Sequence, residues 1–391
     1  MGDRQDRIGA YITSTAAGES FHAYIPPPLP PTPPIELDNL YPLIDQATQA
    51  LGRLDGITSL LPDTDLFLYL YVRKEALLSS QIEGTQSSFS DLLLYESEQV
   101  PGVPLDDVRE VSNYVAAMTH GLERMREGFP LSLRLLREIH AILLQDGRGA
   151  NLEPGEFRRS QNWIGGTRPG NATYVPPPPE KLMECLGALE TFLHDDGVKL
   201  PVLVKAALAH VQFETIHPFL DGNGRLGRLL VTFLLCADGV LKEPILYLSL
   251  YLKSNRNAYY DFLQRVREAG AWETWLEFFL EGVTQTATQA TDAATQILAL
   301  FEKDRGRIGE LGRAASSVLR IHEYLQKHAV LSVPVAAKAI SISAPTVRKS
   351  AKHLQELGIL HETTGRRRDR LYVYQEYLAI LSEGTEPIRT G

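Results

Sequence analysis

Two cysteines in 391 residues leave no disulfide framework and no thiolate cluster to organise this chain. Cys185 and Cys236 each fall inside an apolar helical pattern, where a buried, reduced thiol is the expected state, one that suits a reducing cytoplasm. Long hydrophobic runs are missing too. The longest, Leu229 to Val240, is interrupted by Asp238 and is too short to span a bilayer. The opening MGDRQDRIGA has neither the apolar core of an export signal nor the Ser or Thr at position 6 that myristoylation needs. A soluble cytoplasmic protein with no membrane partner is expected. Basic charge is short as well: 39 Lys and Arg against 48 Asp and Glu leave −9, which argues against indiscriminate binding of nucleic acid or anionic lipid by the whole molecule. Finally, there is no GxxxxGK[ST] loop, no HExxH and no GxSxG elbow, which removes the sequence marks of P-loop, zincin and serine-hydrolase chemistry.

What is present is ordinary globular material, 44% hydrophobic and 22% charged, in a length comfortable for two or three domains. A proline-rich arm, Ile25 to Ile35, cannot join a helix and should lie along a surface as a packing strap. From about Leu37 to Arg126 the spacing is helical. Leu66, Tyr69, Leu70, Ala76 and Leu77 follow the caps Asp63 and Asp65, and the pattern stops at Gly84. A helix of about 65–84 thus ends on Glu83, whose carboxylate sits at the unfavourable end of the macrodipole and invites a cation from elsewhere.

From about Leu131 to Val283 the expectation is helix (Leu131 to Leu144), an irregular Gly- and Pro-rich stretch (Gly147 to Pro179), then helices from Glu180, Pro201 and Arg225 and on through Trp275. Within the stretch, Asn171 to Val175 reads as an edge strand or hairpin stopped by Pro176. Leu226, Leu229, Leu230, Phe233, Leu234 and Ala237 form one apolar stripe ending at Gly239. The polar segment Glu302 to Gly309 reads as a linker. Beyond it, helices at Ala315 to Lys327, Pro334 to Ile340 and Pro345 to Leu357 precede a two-stranded ribbon over Ile359 to Tyr374, the order of a helix-turn-helix with a wing. Between Lys338 and Arg370 eight basic residues face three acidic ones, 8 − 3 = +5. Thr346, Arg348, Lys349 and Lys352 on the second helix of the pair and the Arg366 to Arg370 wing would face duplex DNA if this module binds it; a protein-interaction role is the alternative. The boundaries expected are 1–126, 127–300 and 310–391.

The chemistry concentrates in His217-Pro-Phe-Leu-Asp-Gly-Asn-Gly-Arg-Leu-Gly-Arg228. Gly222-Asn223-Gly224 lets backbone N–H groups turn inward just before a helix start, a phosphate cradle. Asp221 is a hard oxygen ligand suited to Mg²⁺ on a polyphosphate. Arg225 and Arg228, three apart, can share a phosphate tail, and His217 can take a proton from a hydroxyl at neutral pH. Phe219 reads as a core anchor for the loop.

This run resembles the signature of the Fic (Fic/DOC) family of protein AMP-transferases, HxFx(D/E)GNGRxxR, at every specified position: His217, Phe219, Asp221, Gly222, Asn223, Gly224, Arg225 and Arg228. The resemblance implies a mainly α-helical fold with a small β-hairpin flap, and ATP held by Gly222, Asn223, Gly224, Arg225, Leu226, Gly227 and Arg228, with Tyr260 of the Tyr259-Tyr260 pair beside adenine. It further implies a target protein, the chain itself included, docked by strand addition near Thr173, Tyr174 and Val175. Ser79-Ser-Gln-Ile-Glu-Gly84 is similar to the family's inhibitory motif (S/T)xxxE(G/N), so that Ser79 and Glu83 would restrain Arg228, from the same chain or from a second copy in a homodimer. The activity implied is transfer of AMP from ATP to a protein hydroxyl. Removal of AMP or transfer of another nucleotide-linked group at the same site is the second reading, and a DNA-binding regulator that senses nucleotide is the third.

Overall fold

The apolar spacing between Leu37 and Arg126 becomes three helices, α1 (Tyr41–Ser59), α2 (Thr64–Ile82) and α3 (Leu105–Arg126). They are seen in a computed structural model that describes residues 4–16, 18–59, 64–89, 92, 105–146, 148–195, 197, 199–364 and 370–387. Asp63 and Gly147 of the sequence reading lie outside the described residues. Before α1, strands β1 (Ala10–Ala16) and β2 (Glu19–Ile25) form an antiparallel hairpin in register from Ala10 opposite Ile25 to Ala16 opposite Glu19. The proline arm then runs without regular structure across the surface. Gln212 donates to the Pro27 carbonyl at 2.8 Å and Arg7 to that of Pro33 at 2.8 Å, so it is a strap, as its missing N–H donors dictate.

Four more helices build the centre: α4 (Leu133–Leu143), α5 (Pro179–His194), α6 (Val202–Ile216) and α7 (Asn223–Ala237). Ser132 caps α4 by accepting from the Leu135 N–H, and α4 turns Leu135, Leu136, Ile139 and Leu143 inward. From Ala206 to Ile216, α6 is buried on every side, the mark of a helix at the middle of a core. Its neighbour α7, buried from Arg225 to Leu235, is joined to it by the loop at 217–222.

The chain continues through α8 (Ser249–Ser254), α9 (Arg256–Ala269) and α10 (Trp272–Gly309). Residues 302–309, expected as a linker, are the last turns of the unbroken 38-residue α10. Apart from Asp304, which is buried and accepts from Tyr374 at 2.7 Å, their polar residues form the outer face, because Phe301, Asp304 and Ile308 face inward at helical spacing. After α10 come α11 (Ala315–His328), β3 (Val330–Ser332), α12 (Val333–Ala339), α13 (Ala344–Glu356), β4 (Leu360–Glu362), β5 (Leu371–Tyr374) and α14 (Gln375–Ser382). The three strands form an antiparallel sheet in the order β3-β5-β4. Ser343 caps α13 through its hydroxyl. Val347, Ala351 and Leu354 face the core while Arg348, Lys349 and Lys352 are exposed. Thr346 is half-buried and takes a hydrogen bond with Ser343. Arg366, Arg367 and Arg368 lie outside the described residues, and Arg370 is exposed. No described helix is long and apolar enough to cross a membrane.

Candidate active site

His217 ends α6. Its N–H reaches the Phe213 carbonyl at 2.9 Å, and its backbone is left-handed, φ +50°, a conformation a non-glycine residue holds only when its surroundings impose it. The imposing contacts come from Asn223, whose side chain accepts from the Phe219 N–H at 2.9 Å and donates to the Phe219 carbonyl at 2.8 Å, and from Arg158, which donates to the His217 carbonyl at 2.9 Å. Phe219 is wholly buried and stacks on His140, centroids 3.7 Å apart. His140 accepts the Gly155 N–H on Nδ1 at 2.8 Å, so its proton sits on Nε2 and is donated to the Asp221 carbonyl at 2.9 Å. Burial holds that imidazole neutral, its pKa down to about 4. Gly222 has φ +76°, and a Cβ there would lie 3.3 Å from His140 and Leu144, so both conformation and space call for glycine.

The loop delivers the first turn of α7, whose opening N–H groups have no partner within the helix, next to Arg228. This guanidinium, 3% exposed, is gripped by the end of α2: Nε donates to Ser79 Oγ at 2.8 Å, and Nη2 to the Ser79 carbonyl at 3.0 Å and to Glu83 Oε1 at 2.7 Å. Ser79 and Glu83 lie four apart, so one helical face presents both. The Glu83 carboxylate rests against Gly224, where any Cβ would collide with it, and it therefore stands where an anion would meet the start of α7. Burial pushes the Glu83 carboxyl up, but the charge and hydrogen bond of Arg228 outweigh this and hold it below the usual range. Burial also opposes the charge on Arg228, and Glu83 more than reverses that. The carbonyls that α2 leaves at its end are met by cations as well, Arg256 to Ile82 at 3.1 Å and Arg148 to Glu83 at 3.3 Å.

These groups open into a cavity of about 530 Å³, a size in the range of small-ligand sites. Glu83, His217, Gly224 and Arg228 line one side, Arg256, Tyr259 and Tyr260 another, and Trp163, Ile164, Gly165 and Thr173 the rim. His217 is half-buried, and its pKa is pushed down to about 4 by burial first, then by the Arg158 and Arg267 guanidiniums. It is therefore neutral at pH 7, with Nδ1 lacking a hydrogen-bond partner. Tyr259 is buried and donates to His210 Nε2 at 2.9 Å, His210 in turn donating from Nδ1 to the Gly227 carbonyl at 2.9 Å. Tyr260 is 39% exposed with Arg256 over its ring.

The residues singled out in the sequence do not all end in one place. His217, Gly224, Arg228, Tyr260, Thr173, Tyr174 and Glu83 share the cavity. Arg225 does not join Arg228: it is buried against Glu110 in an ion pair at 2.7 Å, with Asp221 at 3.8 Å. Asn223 has its side chain tied to Phe219, leaving only backbone for a ligand. Leu226 is wholly buried in the core and its N–H is taken by the Gly222 carbonyl. Gly227 abuts the Glu214 carboxylate. The expected docking strand also differs. Tyr174 exchanges both backbone hydrogen bonds with Ile164, and the Val175 carbonyl accepts from the Tyr24 N–H of β2 at 2.9 Å. Tyr174 and Val175 are thus engaged from both sides, by an isolated bridge to Ile164 and one hydrogen bond from β2, and in that antiparallel bridge the backbone groups of Trp163 and Gly165 point away from Tyr174. Sequence reading missed Glu110, Arg158, Glu214 and Arg267, which lie near the loop. Glu214 is buried, lacks a partner for Oε1 and is raised by that burial to about 7. No local pattern marks them; an arginine at Arg158 amid glycines and prolines was the one available signal.

Residues 41–123 match the Fic/DOC family N-terminal region and residues 130–235 the Fic/DOC family itself. This mainly helical chain thus carries Fic/DOC family domains over those two segments, the second of which includes the loop between α6 and α7. The protein adenylyltransferase Fic of Aedes aegypti is 32% identical over 229 residues, 58% of this chain and 42% of that protein. That of Culex quinquefasciatus is 32% identical over 256 residues, 62% and 47%. The chain thus spans less than half the length of these curated relatives. Among solved structures, a Fic family protein from Desulfovibrio desulfuricans G20 superposes with a TM-score of 0.58 at 21% identity, over 90% of this chain and 98% of that one. Fic-1 of C. elegans gives 0.50 at 24%, over 66% and 73%. Both show likeness of fold.

Proposed function

We propose that this protein transfers AMP from ATP to a hydroxyl of a protein, and that Glu83 restrains the transfer. The observation that carries the reading is the meeting, in one cavity, of a neutral imidazole, an anion-binding helix start and a buried arginine already paired to a carboxylate. ATP would lay its phosphates on the opening N–H groups of α7, at Asn223 and Gly224, behind the turn that Gly222 makes by donating to Asp221, and on Arg228, with its base toward Tyr260. Tyr260 offers a ring face that is open on one side. The hydroxyl oxygen attacks the α-phosphorus, the bond from that phosphorus to the β-bridging oxygen breaks, and pyrophosphate leaves. His217 takes the hydroxyl proton. A base held near 4 is weak in the free protein, and the negative charge of bound triphosphate raises it toward the operating pH.

Asp221 fits a metal that arrives with the nucleotide. Its Oδ1 accepts the Gly222 N–H at 2.7 Å and faces Arg225, leaving Oδ2, on the side toward Gly149, for coordination. Mg²⁺ would be held by this one carboxylate plus substrate phosphates, the mode usual for that ion on a nucleotide. When bound, Mg²⁺ would neutralise charge on the phosphates.

We take the protein target to be added at the Trp163 to Gly165 edge, and the units to be 1–126, 127–300 and 310–391, the last a winged helix-turn-helix. Duplex DNA is its proposed partner, on the strength of the exposed Arg348, Lys349 and Lys352. Restraint within one chain is favoured by the Glu83 to Arg228 contact over restraint by a second copy. Removal of AMP is the second reading, favoured by the 28% exposure of the Glu83 carboxylate, which can reach a water in the cavity. Incubating the protein with α-labelled ATP and Mg²⁺, alone and with cell lysate, and mapping the label by mass tests the proposal. AMP on Ser, Thr or Tyr, lost in His217→Ala, supports it; no label with either wild type or Glu83→Gly overturns it.

A further inference from the structure

Ser79 and Glu83 use one face of α2 to hold Arg228. Gln81, between them and wholly buried, points the other way. Its amide donates at 2.8 Å to two carbonyls, Ser87 just beyond the helix and Thr385, 304 positions further along the chain. The partner segment is built to be there. Gly384 has φ +77° and Leu250 leaves no room for a side chain on it, Thr385 is buried and closes a turn onto the Ser382 carbonyl, and Lys253 donates to the carbonyls of Gly384, at 3.0 Å, and Glu386. Lys74, buried on α2 and pushed down to about 8 by that burial, is pulled back toward the charged form by Glu383 and Glu386. The segment 383–386 thus binds α2 and α8 together. It follows α14 directly, and α14 follows β5, the central strand of the C-terminal sheet.

We propose that residues 383–386 are a tether through which the C-terminal module holds the Ser79–Glu83 segment on Arg228, so that a ligand displacing that module would free the site. The proposal rests on the reading that Glu83 restrains transfer. Every link in the chain of contact is ordered: the sheet positions α14, α14 positions Thr385, and Thr385 fixes Gln81 two residues from Glu83. Loss of the tether leaves Gln81 bonded to Ser87, so the segment loosens without unfolding. Its weight is that of about one buried hydrogen bond, which predicts a change of about fivefold.

The test uses the full chain with Lys253→Met, which removes the donor to the tail and keeps the Gln81 bond to Ser87, and with Gln81→Leu, which removes both Gln81 bonds and so sets the upper limit, each made in wild type and in Glu83→Gly. Hydrogen exchange of the amides at 79–85 and transfer from α-labelled ATP are both measured. Exchange and transfer about fivefold faster in the wild-type background, with no further gain in Glu83→Gly, support the tether. If exchange at 79–85 is unchanged in Lys253→Met, or if transfer rises equally in the Glu83→Gly background, the tether is overturned. If Glu83→Gly itself gains nothing while exchange still rises, the reading of Glu83 fails and the tether stands. Should Gln81→Leu fold poorly, Lys253→Met decides alone.

Discussion

Glu83→Gly should accelerate transfer by at least about tenfold. The substitution removes one of three hydrogen bonds to Arg228 and leaves both from Ser79, so the guanidinium stays in place and the fold is kept. Glycine is tolerable at 83 because α2 has already ended at Ile82. The bond removed is charge-assisted, 2.7 Å long, between a carboxylate 28% exposed and a guanidinium 3% exposed. Bonds to charged groups are worth about 1.5–3 kcal/mol net, or roughly 10- to 150-fold at about 1.4 kcal/mol per decade; partial exposure of Glu83 favours the lower end. A solvated surface pair, worth under about 1 kcal/mol, could not restrain a reaction this much. The same change also clears the space over Gly224, so the gain should lie in kcat more than in KM, as expected when the phosphates bind either way but align only in the variant. The assay is label transferred from α-labelled ATP, with a thermal melt and an ATP-binding isotherm as controls. A variant that melts like wild type, binds ATP and transfers no faster refutes the restraint, and the AMP-removing role for Glu83 becomes the better reading.

His217→Ala should abolish transfer while nucleotide binding stays within about twofold, read by isothermal titration. In the pH profile of kcat/KM, which reports the free protein, the limb due to His217 should fall near 4 rather than 6.5: the protonated ring cannot act as a base, so activity is lost only as pH drops through that value. Asp221→Ala should lose activity together with its Mg²⁺ dependence; an unchanged Mg²⁺ titration would place the metal elsewhere. Changing Arg348, Lys349 and Lys352 to Ala together should reduce the slope of log K against log salt for a 30-base-pair duplex by about 2.7, at about 0.9 per phosphate contact, with Arg366→Ala, Arg367→Ala and Arg368→Ala flattening it further. No binding at 50 mM salt would make the module a protein-binding one.

Where backbone chemistry is local, the sequence sufficed. The ends of α2 and α7 follow from Gly84 and Gly239, and the wish of Glu83 for a cation follows from its place at the end of a helix. The pairing of Glu83 with Arg228, 145 positions apart, was within reach only through the resemblance of Ser79 to Gly84 to the family's inhibitory motif; the residues alone called for some cation at Glu83 without naming which. Arg225 misled because a helix start offers two directions, and only the tertiary position of Glu110 on α3 decides between them. Residues 302–309 misled because an outer face reads like a linker when its buried residues, Phe301, Asp304 and Ile308, are three and four apart and few. The pairing at 171–175 was illegible, since β2 reaches Val175 from far back in the chain. The hairpin itself was open to notice, with Ile12, Phe21 and Tyr24 on either side of Gly18.

The unbroken length of α10 has a mechanical consequence. Thirty-eight residues at about 1.5 Å each make a rod of about 57 Å, packed on α1 and followed at its C-terminal end by α11. A rod of that length is a lever: a tilt of about 5° at its seat moves the far end by roughly 5 Å. The C-terminal sheet is joined to the rest of the chain twice, once along this rod and once through residues 383–386, whose carbonyls meet Gln81 of α2 and Lys253 of α8.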